Sequence, residues 1–236
     1  MAEHHIHAPT APAATDAAVS STKLIATLSV LGLLCGILIV LAYRSTYAPI
    51  AANKARFLER AIFEVLPHTT RKITYAVTGD TLRPLADGEQ AEAEVYAGYD
   101  AEHHLTGIAV PTEGQGFADV LSILYGYAPV CHCIVGMKVL ESRETPGLGD
   151  KIETDPVFRA NFAALSVELA QDKNAIRNPI ILVKHGKKTN PWEIDAISGA
   201  TISSRAVANM LTKSTATIIP VLEKNLSLLE RGDSNE

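Results

Sequence analysis

The most chemically suggestive stretch of this 236-residue chain is Asp195-Ala196-Ile197-Ser198-Gly199-Ala200-Thr201-Ile202-Ser203-Ser204. Small and hydroxyl residues run directly into a segment with helical apolar spacing, so the stretch opens a helix. Exposed amides at a helix start, with no bulky side chains in front of them, suit a phosphate. Gly199 permits an unusual backbone angle and a close approach. Ser198, Thr201, Ser203 and Ser204 supply hydroxyls. On residue chemistry alone, the stretch reads as a phosphate loop or as an ordinary helix-capping turn. A second stretch, Glu141-Ser142-Arg143-Glu144-Thr145-Pro146-Gly147-Leu148-Gly149-Asp150, follows an apolar strand. Pro146-Gly147 and Gly149 make a tight turn. Glu144 and Thr145 present polar groups at the strand's end, and Leu148 can press on a flat ring. A solvated loop is the plainer reading.

Other candidates carry less. Lys184 ends a short apolar run, and Lys187 lies in the basic turn His185-Gly186-Lys187-Lys188. Trp192 can stack or pack. Cys131-His132-Cys133 contains metal-ligand types, but consecutive strand residues point to different sides, so surface residues are the simpler reading. The pair His103-His104 reads as loop. No Gly-x-Gly-x-x-Gly stretch and no cysteine set for an iron–sulfur cluster are present. Three cysteines are too few for a disulfide scaffold. The net charge of -5 argues against nucleic acid as a partner.

The elements that must position these residues begin with a membrane anchor. Leu24 to Ala42 is uncharged, and as a helix it spans roughly 28 Å, close to a bilayer's hydrocarbon core. Lys23 and Tyr43-Arg44 bracket it as interfacial residues, and Gly32 and Gly36 permit close helix packing. The alternative, a cleaved signal peptide, has a shorter apolar region and a more basic start. Residues 1–22, rich in Ala, Thr and Pro, read as a flexible tail in which His4, His5 and His7 are solvated. Asn53 to Leu66 has amphipathic helical spacing, with Asn53 as cap and Pro67 as stop.

Beyond it, the pattern predicts strands at Thr74–Val77, Glu94–Ala97 and Leu105–Val110, then a turn from Pro111 to Gly116. Val120–Tyr125 and Ile134–Leu140 are expected to pair as a hairpin. Pro156–Leu169 reads as a helix, Pro179–Lys184 as a short buried strand, Ser203–Thr215 as a helix, and Ile218–Leu229 as a last helix with Pro220 in its first turn. The expected fold is α+β: a single N-terminal transmembrane helix, then a domain with a mainly antiparallel sheet and flanking helices. The expected organisation is a cytoplasmic tail over 1–22, the transmembrane helix over 23–43, a helical connector over 44–70, the main domain over 71–215, and a C-terminal helix and tail over 216–236.

Three segments together resemble a known family: LTGIAVPTEGQ at Leu105 to Gln115, IVGMKVLESRETPGLGDKI at Ile134 to Ile152, and VKHGKKTNPWEIDAISGATISSR at Val183 to Arg205. They resemble the FMN-binding G subunit of Rnf-type electron-transport complexes. They are more distantly similar to the C subunit of the sodium-pumping NADH:quinone reductase. The resemblance implies FMN held covalently through a phosphoester on Thr201, placed there by a separate flavin transferase with FAD as donor. It implies that Ser198, Gly199, Ala200, Ser203, Glu144, Thr145, Leu148 and Gly149 approach the flavin. Lys184 and Asp195 join this set, with Asp195 tied to the transferase reaction.

By the same resemblance, the chain is an electron-relay subunit of an ion-translocating ferredoxin:NAD oxidoreductase. No acid–base catalytic residues of its own and no metal are expected in it. Its implied partners are the other subunits of the complex, the transferase and the lipid bilayer. The implied location is the bacterial inner membrane, with the large domain on the periplasmic side. The local charge count, with Arg44, Lys54, Arg56 and Arg60 after the helix, points the other way, but long domains translocate largely regardless of charge. The rival readings are an FMN-tethering subunit of a different respiratory complex, a membrane-anchored flavin sensor, and an interaction domain without flavin.

Overall fold

The computed structural model describes residues 20–86 and 88–232, so His4, His5 and His7 lie outside the described residues. The chain divides into two compact units, Met1–Asn53 and Lys54–Glu236. Helix α1 is Ser21–Val65. Its first part holds an 18-residue window of mean hydropathy 2.8 in which no residue is buried. Thr27 Oγ1 and Thr46 Oγ1 each donate to the carbonyl four residues back, at 2.8 Å, which hides hydroxyls inside an apolar helix. Asn53 is inside α1 and not at a helix start. The one helix-breaking residue in Tyr47-Ala48-Pro49-Ile50-Ala51-Ala52 is Pro49, and α1 runs through it. The helix ends just before Pro67, as the sequence predicts.

The second unit is built on a seven-stranded antiparallel sheet. Its strands are β1 (Arg71–Thr78), β2 (Thr81–Pro84), β3 (Glu94–Tyr99), β4 (Leu105–Gln115), β5 (Val120–Ala128), β6 (Cys133–Glu141) and β7 (Leu165–Ser166). Their order is β2-β1-β3-β4-β5-β6-β7, with every pairing antiparallel. The expected β5–β6 hairpin forms, paired from Ser122↔Glu141 to Ala128↔Cys133 with register shifts at Ser122/Ile123 and Gly126/Tyr127. Alternation works as the pattern predicts. Leu121, Ile123, Tyr125 and Tyr127 join the larger core, while Leu124 faces the smaller one with Ala61, Ile62 and Val65. One strand is longer than predicted. Pro111 does not end β4, because Ala109↔Tyr96 is the last β3–β4 pair before it and Pro111 therefore has no ladder to donate to on that side.

The remaining elements are α2 (Lys151–Thr154), α3 (Pro156–Ala160), β8 (Ile181–Val183), β9 (Glu193–Asp195), α4 (Thr201–Lys224) and α5 (Leu226–Arg231). Three differ from the sequence reading. The helix expected over Pro156–Leu169 stops at Ala160. Asn161, buried, turns its amide to Phe158 O and Asp195 O and its oxygen to Asp195 N, which diverts the chain toward β9. Phe158, Phe162 and Leu165 are still buried, but Leu165 is part of edge strand β7. The predicted strand at Pro179–Lys184 is half-buried and pairs in parallel with β9 in a separate two-stranded sheet. The two helices expected over Ser203–Leu229 are mostly one. Pro220 lies inside α4, where burial of Ile219, Pro220, Val221 and Leu222 outweighs the lost backbone bond. Asn225, bonding back to Val221 O at 2.8 Å, ends it.

Cys131 and Cys133 form a disulfide in the turn between β5 and β6. This corrects the reading of the pair as unbonded surface residues. Spacing alone does not show it, because the turn folds the two residues to a Cα separation of 5.2 Å.

The end of α1 rests on bare backbone. A Cβ at Gly126 would overlap Val65 O. One at Gly136 would come within 2.8 Å of Val65 O, one at Gly98 within 2.9 Å of Leu66 Cδ1, and one at Gly107 within 2.9 Å of Leu66 Cδ2. Four adjacent strands thus lack side chains where Val65 and Leu66 sit. Backbone cannot yield as a side-chain tip can. Gly136→Ala is expected to lower stability by about 1–3 kcal/mol, measured by denaturant unfolding of the full chain in detergent.

The β8–β9 connection turns on a buried carboxylate. Glu193 Oε2 accepts from Thr189 N at 2.7 Å and Asn190 N at 3.0 Å, and Oε1 from Asn190 Nδ2 at 2.8 Å. The Thr189 amide, then the Asn190 side chain and amide, hold its pKa down at about 2. Since the folded value lies below the unfolded one, this group stabilises the fold above about pH 4.5 and the contribution is lost as pH falls toward 2. Acid unfolding of Glu193→Gln should therefore show a shallower pH dependence across that window than the unsubstituted chain.

Candidate functional site

The loop Ala196–Ala200 carries the chain from β9 into α4. Gly199 has φ +86, the left-handed region that suits glycine. Ala200 N bonds to Ile197 O at 3.1 Å and closes the turn. Ser204, fully buried, fastens the turn to the helix. Its Oγ donates to Ala200 O at 2.9 Å and accepts from Ile197 N at 3.2 Å. Helix α4 begins at Thr201, two residues earlier than the sequence predicts. Its N-cap is Ala200, which has no side chain to cap with. Most helices place Ser, Thr, Asp or Asn there to satisfy the first-turn amides. Here no side chain caps the first turn, which lies beside the exposed Ser198, Gly199 and Thr201. The arrangement suits an anion and places the Thr201 hydroxyl next to it.

Beneath this turn lies Glu144, 7% exposed. Its Oε1 accepts from Phe117 N at 2.7 Å and Ala118 N at 3.2 Å, and its Oε2 takes a short hydrogen bond from the buried Ser203 hydroxyl. One carboxylate therefore joins the β4–β5 turn, the loop after β6, and the first turn of α4. Gly149 and Gly116 make room for it. A Cβ at Gly149 would come within 2.8 Å of Ser203 Oγ and closer still to Glu144, and one at Gly116 would overlap Glu144 Oε1. Thr145 and Leu148 remain exposed, and Thr145 O gathers the amides of Leu148 (3.1 Å) and Gly149 (3.0 Å). Phe117 and Ile202, 61% and 57% exposed, flank two of Glu144's partners. Neither is singled out by the sequence reading. An apolar residue at a polar turn, Phe117 between Gly116 and Ala118, is the available signal.

Asp195 closes β9. Its Oδ2 accepts from Gly186 N at 2.9 Å and stands 3.9 Å from His185 Nδ1. Its Oδ1 is buried with no protein hydrogen-bond partner among the described residues. A cleft of about 180 Å³ lies here, lined by Lys151, Asp155, His185, Asp195 and Ser198. Lys184 and Lys187 are exposed in the turn beside β9, with Lys187 N bonded to Lys184 O at 2.9 Å. Burial pushes the Lys188 amine down, against the pull of Asp195 and Glu193. Trp192 is half-buried. The structure thus gathers Glu144 and Ser203 into a bonded pair, with Gly149 packed against it, under the turn formed by Ser198, Gly199, Ala200 and Thr201. Asp195 sits at that turn's start, and Lys184 on the neighbouring strand's end. A larger cleft of about 900 Å³, lined among others by Arg71, Lys72 and Tyr96, shares no residue with these loops.

Known proteins resemble this chain in sequence and in fold. Residues 116–216 match the FMN-binding domain family, FMN_bind, a span that runs from Gly116 through Glu144 to Thr201 and most of α4. The chain is 30% identical over 192 residues to the G subunit of the ion-translocating oxidoreductase complex of Methanosarcina acetivorans, covering 80% of this chain and 90% of that protein. It is 27% identical over 169 residues to the protein of the same name from Escherichia coli K12, covering 69% and 74%. The crystal structure of Shewanella oneidensis NqrC shares the fold, with a TM-score of 0.59 at 19% identity over 77% of this chain and 100% of that one. From the paired loops to the length of the alignment, the chain belongs to the G-subunit family of ion-translocating oxidoreductase complexes, with an FMN-binding domain at its core.

Proposed function

We propose that this chain carries FMN as a phosphoester on the Thr201 hydroxyl and serves its complex as an electron relay. The observation that carries the reading is the start of α4. An exposed threonine hydroxyl stands at an alanine-capped helix N-terminus, with Gly199 at φ +86 opening the approach. Both the site and the attachment fit a phosphate. When bound, flavin supplies one- and two-electron chemistry. The first-turn amides of α4 hold the phosphate charge. Glu144 fixes the three segments around it. Leu148, Phe117 and Ile202 offer exposed apolar surface to the ring, with Thr145 beside them. The 180 Å³ cleft is smaller than ligand pockets usually are, so most of a flavin stays on the surface, where another subunit can reach it.

Attachment forms an Oγ–P bond at Thr201 and breaks the pyrophosphate of an FAD donor, releasing AMP and the hydroxyl proton. A flavin transferase performs that step. Asp195, with its unpartnered Oδ1, serves the attachment and not the later electron transfer. Lys184 adds positive charge near the phosphate. The apolar stretch Leu24–Ala42 anchors the chain in the bilayer, in the organisation read from the sequence. The disulfide belongs to an oxidising compartment, which supports a domain on the outer side of a cytoplasmic membrane.

Two experiments follow. In chain co-expressed with a flavin transferase, intact mass should show one added FMN, and Thr201→Ala should abolish both the added mass and the fluorescence of the denatured band. Flavin that persists on the Ala variant overturns the site. Glu144→Ala leaves three donors without their acceptor, the buried Ser203 hydroxyl among them. It should cost about 2–4 kcal/mol in stability and reduce flavin incorporation, while Glu144→Gln recovers most of both, read by unfolding and by mass.

A further inference from the structure

The Cys131–Cys133 disulfide has no part in the flavin site. It lies at the opposite end of the nine-residue strand β6, which begins at Cys133 and leads at its other end into the loop that bears Glu144. It also does little to hold the fold. The bond closes a loop with one intervening residue, and the entropy gained from so short a loop is the smallest available. Other bonds already fix the turn. Ala128 pairs with Cys133 across the hairpin, and Cys133 pairs with Ser166 on β7. His132 N bonds to Pro129 O at 3.2 Å, and Val167 N to His132 O at 2.9 Å. The His132 ring is held as well. Its Nδ1 is 3.2 Å from Tyr127 Oη and 3.6 Å from Glu223 Oε1, and Tyr127 Oη donates to Glu223 Oε1 at 2.6 Å. His132 adopts φ +47, a left-handed conformation rare outside glycine and found at sites under functional constraint.

The two sulfurs differ in access. Cys131 is exposed, next to Val130, which is 95% exposed, whereas Cys133 is 7% exposed. Exposed disulfides that stabilise little are the readily exchanged ones.

We infer that Cys131–Cys133 is a redox-active pair that exchanges two electrons with an external protein dithiol. A thiolate of that dithiol attacks Cys131 Sγ. A new disulfide forms between the partner and Cys131, the Cys131–Cys133 bond breaks, and Cys133 leaves as a thiolate that takes a proton from solvent. The partner's second thiolate then attacks its own sulfur in the mixed disulfide and releases Cys131, which is protonated in turn. The partner dithiol ends as a disulfide, and this chain gains two electrons and two protons. The turn keeps its shape because its backbone bonds and the His132 contacts do not involve sulfur, so the thiols stay adjacent and ready for the reverse reaction.

The test uses the full chain in detergent, without denaturant, with alkylation mapped to peptides by mass. Cys35, the free cysteine, is the internal reference. Millimolar dithiothreitol should open the pair within minutes and make both cysteines available to label. With oxidised glutathione as probe, Cys133→Ser should accumulate a mixed disulfide on Cys131. Cys131→Ser should react at Cys133 at least about tenfold more slowly, because that thiol is buried. The double serine variant should melt within about 3 °C of the unsubstituted chain. A bond that opens only on unfolding, equal rates for the two single variants, or a melting point lowered by more than about 10 °C would each overturn the inference.

Discussion

One buried carboxylate organises the functional end of this domain. Glu144 accepts from the β4–β5 turn through Oε1 and from the first turn of α4 through Oε2. Hydrogen bonds to an ionised group are about twice as strong as neutral ones, and a low-dielectric site makes their loss expensive. The loop after β6 has few apolar contacts of its own, since Thr145, Pro146, Gly147 and Leu148 are all exposed. Without the carboxylate, the loop after β6 would have little reason to stay beside α4. The glycines at 116 and 149 are the steric counterpart of the same arrangement, because either one with a Cβ would push the carboxylate from its donors.

This division of labour explains why the polar residues of the two loops fall into two layers. Glu144, Ser203 and Ser204 are buried and spend their hydrogen bonds on protein. Ser198, Thr145 and Thr201 are exposed and stand on that scaffold. A hydroxyl on a mobile loop would be loosely placed, whereas one at the first position of a 24-residue helix inherits the rigidity of that helix. Asp195 forms a second fixed point, held through Gly186 and through the Asn161 contacts to its backbone.

Much of this is legible in the sequence. The apolar run of α1, the β5–β6 alternation and the two glycine-rich loops declare themselves through local pattern. What the sequence does not show depends on long-range geometry. Glu144 and Ser203 are 59 residues apart, so their bond leaves no local trace. Phe158, Phe162 and Leu165 have helical spacing and are all buried, yet Asn161 breaks the helix for a partner on β9 that no periodicity reveals. Pro220 suggests a helix start because proline favours the first turn, but burial against the sheet keeps α4 running through it. The cysteines at 131 and 133 seem unrelated in sequence because their pairing depends on the turn that brings them together.

The bare backbone under Val65 and Leu66 also answers a problem of strand registration. Antiparallel strands can slide by two residues and keep the same face toward the core, so hydrophobic alternation alone distinguishes such shifts poorly. In this sheet a slide of β5 by two would bring Leu124 to the place of Gly126, beneath the Val65 carbonyl. The gaps at 98, 107, 126 and 136 therefore act together as a keyway. Only the alignment that lines them up admits the end of α1, and once admitted, that end fixes the alignment of all four strands.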